Sequence, residues 1–126
     1  MEGMMRTILV ADDNSASREL VREALENIGY RVVEAADGRE ALDKADQNIP
    51  DLALLDIRMP ELDGYATLRA MRENPKLASL PILALTAFAM RGDHEKAIAA
   101  GFDGYLTKPI SIAGLRAEVE SRIKRS

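Results

Sequence analysis

Four short apolar runs in this chain each stop at a residue that phosphoryl chemistry can use. Short runs that are apolar throughout are typical of parallel strands buried on both faces of a sheet. Because the carboxyl ends of such strands meet at one edge, the residues that follow them should share a rim. Those residues are three carboxylates, a hydroxyl and an ammonium group, in chain order Asp12, Asp13, Asp56, Thr86 and Lys108.

The acidic residues give the strongest chemical signal. Asp12, Asp13 and Asp56 repel one another unless a cation lies among them, and carboxylate oxygens suit Mg²⁺, or Mn²⁺ in its place. The three aspartates contribute a formal charge of −3, the metal +2 and Lys108 +1, so the charges at the rim sum to zero. A dianionic phosphoryl group on Asp56 changes that sum by only −1, because the carboxylate charge disappears. We therefore expect covalent capture of phosphate by Asp56, with Lys108 and Thr86 bonding its oxygens.

Each of these residues taken singly has an ordinary structural explanation. An Asp-Asp pair after a strand is common turn chemistry, Thr86 can bond backbone at a strand end, and Lys108 can be a surface charge. Asp56 is harder to explain in that way, because a lone carboxylate that closes a buried run costs solvation. The prediction therefore depends on all the strand ends meeting at one edge. His94, the only histidine, is predicted on a solvated face without a catalytic role.

The elements that must position these residues alternate between strand and helix. Strands are predicted at 7–11, 31–36, 52–57, 82–86 and 104–107. The strand at 31–36 is the least apolar, which predicts a place at the edge of the sheet. Five strands alternating with five helices predict an α/β fold, because right-handed crossovers then give a flavodoxin-like, doubly wound parallel sheet of order 2-1-3-4-5.

Cap residues and apolar spacing define the helices. Asn14, Asp37 and Ser111 are N-cap signals, and Gly29 is a C-cap signal. The helix at 93–100 has a mostly alanine apolar side and is predicted to be the weakest. The residues predicted to face inward are Ala16, Leu20, Val21, Ala24, Leu25 and Ile28 in the first helix, and Ile112, Leu115, Val119 and Ile123 in the last.

Length and composition limit the class of protein. At 126 residues the chain can bury one core, predicted as a single domain over 7–124 after an extension at 1–6. The net charge of −4 gives no basic field for nucleic acid. The absence of cysteine excludes a disulfide framework and a thiolate zinc site. No apolar stretch has spanning length and no signal peptide precedes the domain, so we expect a cytoplasmic protein without membrane contact.

Several motifs stand in one order along essentially the whole chain: Asp12-Asp13, Asp56 with Met59-Pro60 behind it, Thr86-Ala87, Tyr105 and Lys108-Pro109. Together they resemble the receiver domain of two-component response regulators. The resemblance implies that Asp56 accepts a phosphoryl group from the phosphohistidine of a sensor histidine kinase or a histidine phosphotransfer protein. It also implies that the chain is not an enzyme in the usual sense, because it catalyses only its own phosphorylation and dephosphorylation.

The resemblance also implies roles around the metal. Mg²⁺ is expected on the Asp13 and Asp56 carboxylates and on the main-chain carbonyl of Arg58, with Asp12 acting through water. Lys108 is expected to contact a phosphoryl oxygen, and the Lys108–Pro109 bond is expected to be cis.

A second group of implied roles concerns switching. Thr86 would be the switch hydroxyl and Tyr105 the rotating aromatic. Their movement would remodel a partner face made by the fourth helix, the last strand and the last helix, where a downstream target protein would bind. The stretch 86–93 also resembles single-domain regulators of the cell-cycle type and the receivers of hybrid kinases.

Two positions are expected to set the lifetime of the phosphoryl group. Arg58 lies two residues after Asp56, and Phe88 lies two residues after Thr86. Phe88 has no group that orients a water, and Arg58 cannot act as a base. Slow self-dephosphorylation is therefore predicted, with reversal left to a phosphatase or to back-transfer onto histidine.

Two other classes of protein remain as alternatives. A haloacid-dehalogenase-like, Mg²⁺-dependent phosphatase also uses a strand-end aspartate, but it needs a second Asp two residues later, where this chain has Arg58. A non-phosphorylated interaction domain of receiver fold would keep the shape without the chemistry. The intact set of site residues argues against it, and binding of beryllofluoride would discriminate the two.

Overall fold

A computed structural model of the protein describes residues 5–87 and 92–123. Five strands form one sheet in which each neighbouring pair is parallel, in the order β2-β1-β3-β4-β5. The predicted fold class and strand order are therefore confirmed. The strands are β1 (Thr7–Ala11), β2 (Arg31–Ala35), β3 (Leu52–Asp56), β4 (Ile82–Thr86) and β5 (Gly104–Thr107).

Five helices connect and cover the strands. Predicted caps are confirmed at Asn14, whose side chain accepts from Ser17 N–H, and at Asp37, which accepts from Glu40 N–H. Ser111 Oγ likewise accepts from Gly114 N–H at 3.1 Å. The helices are α1 (Ser15–Glu26), α2 (Gly38–Gln47), α3 (Gly64–Glu73), α4 (Asp93–Ala100) and α5 (Ile112–Ile123).

The sheet separates two apolar cores. Alternate residues of β1, β3 and β4 face opposite sides, so Leu9, Leu55 and Ala84 pack with α2 and α3, while Val10 and Leu54 pack with α1 and α5. β1, β3 and β4 are almost completely buried, whereas β2 is partly exposed at the edge, as predicted. The rim at the carboxyl ends of the three central strands is therefore held from both sides.

Two strands end one residue earlier than predicted. The 31–36 strand stops at Ala35 because the Ala36 N–H donates instead to Glu40 Oε1, at 2.6 Å, in the cap of α2. The 52–57 strand stops at Asp56 because the Ile57 carbonyl accepts from Gly64 N–H and the chain turns. The second correction leaves Asp56 as the last residue of β3.

Three residues predicted to face inward are exposed, namely Ala16 and Leu20 in α1 and Ile112 in α5. All three lie in the first six residues of their helices, at the end nearest the rim. The strands have ended there, so no sheet covers these side chains. Val21, Ala24 and Leu25 of α1 are buried as predicted.

The helix predicted to be weakest is the least buried. In α4 only Ala97 is buried, and the helix begins at Gly92 without a side-chain cap. Within the two described ranges, none of the helices combines the length and the apolar character needed to span a bilayer.

Candidate functional site

Three carboxylates meet at the rim, as the strand pattern predicted. Asp12 follows β1, Asp13 follows it in turn, and Asp56 ends β3, the strand beside β1. Each contributes an oxygen, and these oxygens lie within 4.8 Å of one another. Asp12 and Asp56 are buried, whereas Asp13 is exposed. The cluster is thus closed at its base and open to solvent on one side.

Lys108 is the cation that the structure places among these carboxylates. Its Nζ lies 2.8 Å from Asp12 Oδ2 and 2.8 Å from Asp56 Oδ2. It follows β5, and its N–H donates to the Thr86 carbonyl at 2.8 Å. The Lys108–Pro109 peptide bond is cis, as predicted. Among the described residues one ammonium group faces three carboxylates, so these groups leave a formal charge of −2 at the rim.

Burial and charge act in opposite directions on the titration of this pair. The pKa of the Asp56 carboxyl is raised from 3.8 to about 6, chiefly because burial disfavours its charged form. The hydrogen bond from Lys108 lowers this pKa and offsets part of the rise, whereas Asp12 adds to the rise. Burial also lowers the pKa of Lys108, but its hydrogen bonds to Asp12 and Asp56 outweigh that, and the net shift is upward. At neutral pH Asp56 is therefore an anion and Lys108 a cation.

The donor set fits Mg²⁺. The carboxylate oxygens of Asp12, Asp13 and Asp56 converge without a second cation among them in the described part of the chain, so a divalent ion balances their remaining charge. The exposed side at Asp13 leaves room for the waters that Mg²⁺ retains.

Thr86 and Tyr105 lie beside this cluster on the last two strands. Thr86 is buried at the end of β4, next to the Asp56 strand, and lines a cavity of about 140 Å³ with Arg58, Asp93 and others. Tyr105 is half-buried in β5, and its buried hydroxyl has no hydrogen-bond partner among the described residues. Burial raises the pKa of the Tyr105 hydroxyl, and Asp93 adds to the rise.

His94 is exposed, as predicted, but it is not without contacts. Its ring stacks on the Tyr105 ring, with centroids 5.2 Å apart and an interplanar angle of 8°. No sequence pattern predicted this pair, because the two residues lie on different elements, α4 and β5.

Arg58 forms part of the loop over the site. Its N–H donates to Asp56 Oδ1 at 3.0 Å, and its side chain lines a groove of about 640 Å³ that also includes Asp13, Tyr65 and Lys96. Lys96 Nζ lies 5.3 Å from the centre of the Tyr65 ring. Phe88, the other position predicted to set the lifetime, lies outside the described residues.

Gly64 has no role assigned from sequence, yet it packs against the end of the Asp56 strand. A Cβ at this position would lie 2.6 Å from the Asp56 carbonyl oxygen and 2.6 Å from Ile57 Cα, closer than real side chains come. In the same loop Glu61 has a φ of 66°, a left-handed conformation that strains a residue other than glycine. The Asp63-Gly64 dipeptide was a turn signal that could have found this close approach.

Comparison with known proteins gives one family. The sequence model of the response regulator receiver domain matches residues 8–120. The polar-differentiation response regulator DivK of Brucella ovis is 37% identical over 109 residues, which make up 86% of this chain and 89% of that protein.

Solved structures give the same result. The chemotaxis response regulator CheY4 of Vibrio cholerae matches with a TM-score of 0.88 and 33% identity, over 94% of this chain and 99% of that chain. The receiver domain of a sensor histidine kinase of Pseudomonas aeruginosa PAO1 matches with a TM-score of 0.88 and 37% identity, over 95% and 98% of the two chains. That structure has a magnesium ion coordinated in its active-site cleft.

Proposed function

This chain belongs to the response regulator receiver domain family, and from that membership we propose that Asp56 accepts a phosphoryl group in a Mg²⁺-dependent reaction. The donor is the phosphohistidine of a sensor histidine kinase or of a histidine phosphotransfer protein. The observation that carries this proposal is the position of the buried Asp56 carboxylate, 2.8 Å from Lys108 Nζ and beside two further aspartates.

The proposed reaction is an in-line transfer. A carboxylate oxygen of Asp56 forms a bond to phosphorus, the bond from phosphorus to the donor imidazole nitrogen breaks, and that nitrogen keeps the electron pair and takes a proton. Lys108 lies within reach of the phosphoryl oxygens and can stabilise their charge. The reverse of capture returns the phosphoryl group to the imidazole nitrogen. In hydrolysis a water attacks the phosphorus, the bond from phosphorus to the Asp56 oxygen breaks, and the products are inorganic phosphate and the free carboxylate. In both reactions the domain acts only on its own Asp56.

The metal is proposed to bind on the Asp13 and Asp56 carboxylates and the main-chain carbonyl of Arg58, with Asp12 contributing through water. When bound, Mg²⁺ supplies positive charge next to the transferred group. Two of these carboxylates are already held in place without the metal. Asp12 Oδ1 accepts a hydrogen bond from Asn14 N–H, and Asp56 Oδ1 accepts one from Arg58 N–H.

The switch is proposed to run from Thr86 to Tyr105. The Thr86 hydroxyl donates to the phosphoryl group on Asp56, and Tyr105 turns into the space that Thr86 leaves. Support comes from the cavity beside Thr86 and from the unpartnered hydroxyl of Tyr105, which loses no hydrogen bond when it moves. Thr86→Ala should therefore accept phosphate but lose the conformational change.

The surface that changes is proposed to be the face of α4, β5 and α5, which binds a downstream target protein. α4 buries little of its own surface, and Ile98 on α4 and Ile112 on α5 are large apolar side chains that are exposed. A face that is partly apolar and weakly held suits a partner whose binding depends on its conformation.

Intact-mass spectrometry after incubation with acetyl phosphate and Mg²⁺ tests the function. We expect one added phosphoryl group in the wild type, and none in Asp56→Asn or in the presence of a chelator. Asp43→Asn is the matched control, because Asp43 is an exposed aspartate on α2. A wild-type protein that gains no mass and fails to bind beryllofluoride would be a non-phosphorylated interaction domain. Sustained hydrolysis of a phosphomonoester would instead indicate a phosphatase.

A further inference from the structure

We propose that Arg18 is a positioning residue for the metal-binding aspartates, an inference that rests on the proposed function of the site. Arg18 lies on α1, and its side chain is 19% exposed. Its guanidinium donates from Nη1 to the main-chain oxygen of Asp12, at 2.7 Å, and from Nε to Glu34 Oε1, at 2.9 Å. The guanidinium therefore joins the end of β1 to the edge strand β2.

The carbonyl that Arg18 holds belongs to the peptide unit between Asp12 and Asp13. Asp12 itself is held by contacts that do not involve Arg18. Its N–H donates to the Ala35 carbonyl at 3.1 Å, and its Oδ1 accepts from Asn14 N–H at 3.0 Å. Asp13 is exposed and has no comparable contact from its own side chain among the described residues. The orientation of the Asp12–Asp13 peptide therefore decides where the Asp13 carboxylate lies.

Glu34 keeps the Arg18 guanidinium in place. The second carboxylate oxygen of Glu34 accepts from Arg22 Nη1 at 3.1 Å, and its main-chain oxygen accepts from Lys44 Nζ at 2.7 Å. Glu34 is thus held by α1 and by α2 at once. This explains an acidic residue in the middle of a strand whose other residues include Val32 and Val33.

The chemistry requires arginine. A planar guanidinium presents two N–H groups in fixed directions, so it can bridge a carbonyl and a carboxylate at the same time. A lysine can neutralise Glu34 but cannot hold both acceptors in that geometry. Arg18→Lys therefore keeps the positive charge but loses the bridge between the Asp12 carbonyl and the Glu34 carboxylate.

The charge of Arg18 and its proposed positioning role predict opposite changes in Mg²⁺ affinity when Arg18 is replaced. If Arg18 acted only through its charge, removing that charge would leave the acidic cluster more negative and strengthen Mg²⁺ binding. If Arg18 positions the peptide, its removal releases Asp13 and weakens Mg²⁺ binding. The sign of the change therefore discriminates between the two.

The test is the Mg²⁺ dissociation constant, measured by isothermal titration calorimetry on wild type, Arg18→Gln, Arg18→Lys and Arg22→Gln. We expect Arg18→Gln to weaken binding about tenfold and Arg18→Lys to weaken it at least threefold. Arg22→Gln is the matched control, since Arg22 pairs with the same Glu34 but does not touch Asp12. In that variant Glu34 keeps its contacts with Arg18 and Lys44, so Mg²⁺ should bind as tightly as in the wild type or slightly more tightly.

A second measurement needs no metal. In magnesium-free buffer the ¹⁵N resonance of the Asp13 amide, which is bonded to the Asp12 carbonyl, should shift in Arg18→Gln and stay in place in Arg22→Gln. If Arg18→Gln does not fold, Glu34→Gln serves instead, because it weakens the hold on Arg18, and we then expect a smaller loss of Mg²⁺ affinity, about threefold.

The positioning role of Arg18 can fail without the proposed phosphorylation of Asp56 failing, and the measurements separate the two cases. Unchanged or tighter Mg²⁺ binding in Arg18→Gln would overturn the positioning role and leave phosphorylation of Asp56 untouched. A wild-type protein that neither binds Mg²⁺ nor becomes phosphorylated would overturn both. Equal weakening in Arg18→Gln and Arg22→Gln would also contradict the proposal, since it would mean that both act through general stability.

Discussion

Asp56 lies in surroundings that oppose its own charge. In the metal-free protein burial raises the pKa of the Asp56 carboxyl from 3.8 to about 6. Below about pH 3 this group is protonated in both the folded and the unfolded states. As the pH rises towards 6, the unfolded state loses its proton first, so the folded protein loses up to about 3 kcal/mol of stability across this window. Above pH 6 the full cost remains.

Asp56→Asn should remove this cost. In urea unfolding without magnesium, we expect the variant to be more stable than the wild type by roughly 1–3 kcal/mol at pH 7.5, with most of that difference gone at pH 4. Asp43→Asn, at an exposed position, should show no such pH dependence. A gain that is the same at pH 4 and pH 7.5 would show that burial of the charge is not its cause.

Arg58 is the described residue at which the lifetime of the proposed phosphoryl group on Asp56 can be tested. Its side chain is exposed beside the cluster and lines the groove next to Asp13. Arg58→Asn introduces a shorter amide that can accept a hydrogen bond from an attacking water. We expect the loss of phosphate, followed by intact mass after removal of the donor, to become several-fold faster, on the order of 1 kcal/mol in the barrier.

Arg31→Asn is the matched control for that experiment, because Arg31 is exposed at the start of β2, away from the carboxyl ends of the strands. It should decay at the wild-type rate. If Arg58→Asn also decays at that rate, the Arg58 side chain does not control access of water. Phe88→Glu, designed from the sequence alone, can be added to test the second position.

At the scale of elements, α4 is held unequally at its two ends. Near its C-terminal end Arg72 Nη2 donates to the Gly101 carbonyl at 2.8 Å and to Asp103 Oδ2 at 2.9 Å, and Asp103 also accepts from Ile82 N–H. At the N-terminal end Gly92 provides no side-chain cap, and the ring of His94 stacks on the ring of Tyr105. We expect the helix to move about its C-terminal end.

Removal of the His94 ring should loosen α4 without weakening the domain. Aromatic pairs contribute about 1 kcal/mol, so in His94→Ala we expect amide exchange in residues 93–100 to become about three- to tenfold faster. Global stability should change little, because His94 is exposed. Glu95→Ala, an exposed neighbour on the same helix, is the control. Equal protection of α4 in the two variants would mean that the stack does not restrain the helix.

At the scale of the whole molecule, stability and chemistry occupy different places. The two apolar cores lie on the faces of the sheet, whereas the acidic cluster lies at its rim. The cluster has a formal charge of −2 after Lys108 is counted, so it opposes folding until a cation binds. The cores on both sides of β1 and β3 hold the aspartates together despite that repulsion.

Mg²⁺ at the proposed site should therefore stabilise the entire domain, since the three aspartates converge in the folded state and not in the unfolded one. At a concentration of 100 times its dissociation constant the gain is about 2.7 kcal/mol, which raises the melting temperature by roughly 10 °C in a domain of this size. Asp13→Asn should lose most of the gain while it still folds, because Asp13 is exposed. Glu73→Gln, at another exposed acidic position, should keep it. A melting temperature that Mg²⁺ does not change in the wild type would contradict the assignment of the metal site.

Most of the fold follows from patterns that a reader of the sequence can see. The apolar runs that end at Asp12 and Asp56 define buried strands, the more polar 31–36 run defines the edge, and the alanine-rich 93–100 segment defines the weakest helix. Each of these signals is local, because neighbouring residues alone set the periodicity of burial. Since parallel strands align their ends, the same signals were enough to bring the carboxylates and Lys108 to one rim.

Contacts between elements were decided only by the tertiary structure. The bridge from Arg18 to Asp12 and Glu34, the stack of His94 on Tyr105, and the approach of Gly64 to Asp56 each join separate elements or the ends of a folded loop. The exposure of Leu20 follows likewise from where the sheet ends beneath α1. Local periodicity specifies which face of an element is buried, but the partner of a polar side chain depends on register and on distances between elements, which arise only when the sheet and helices pack together.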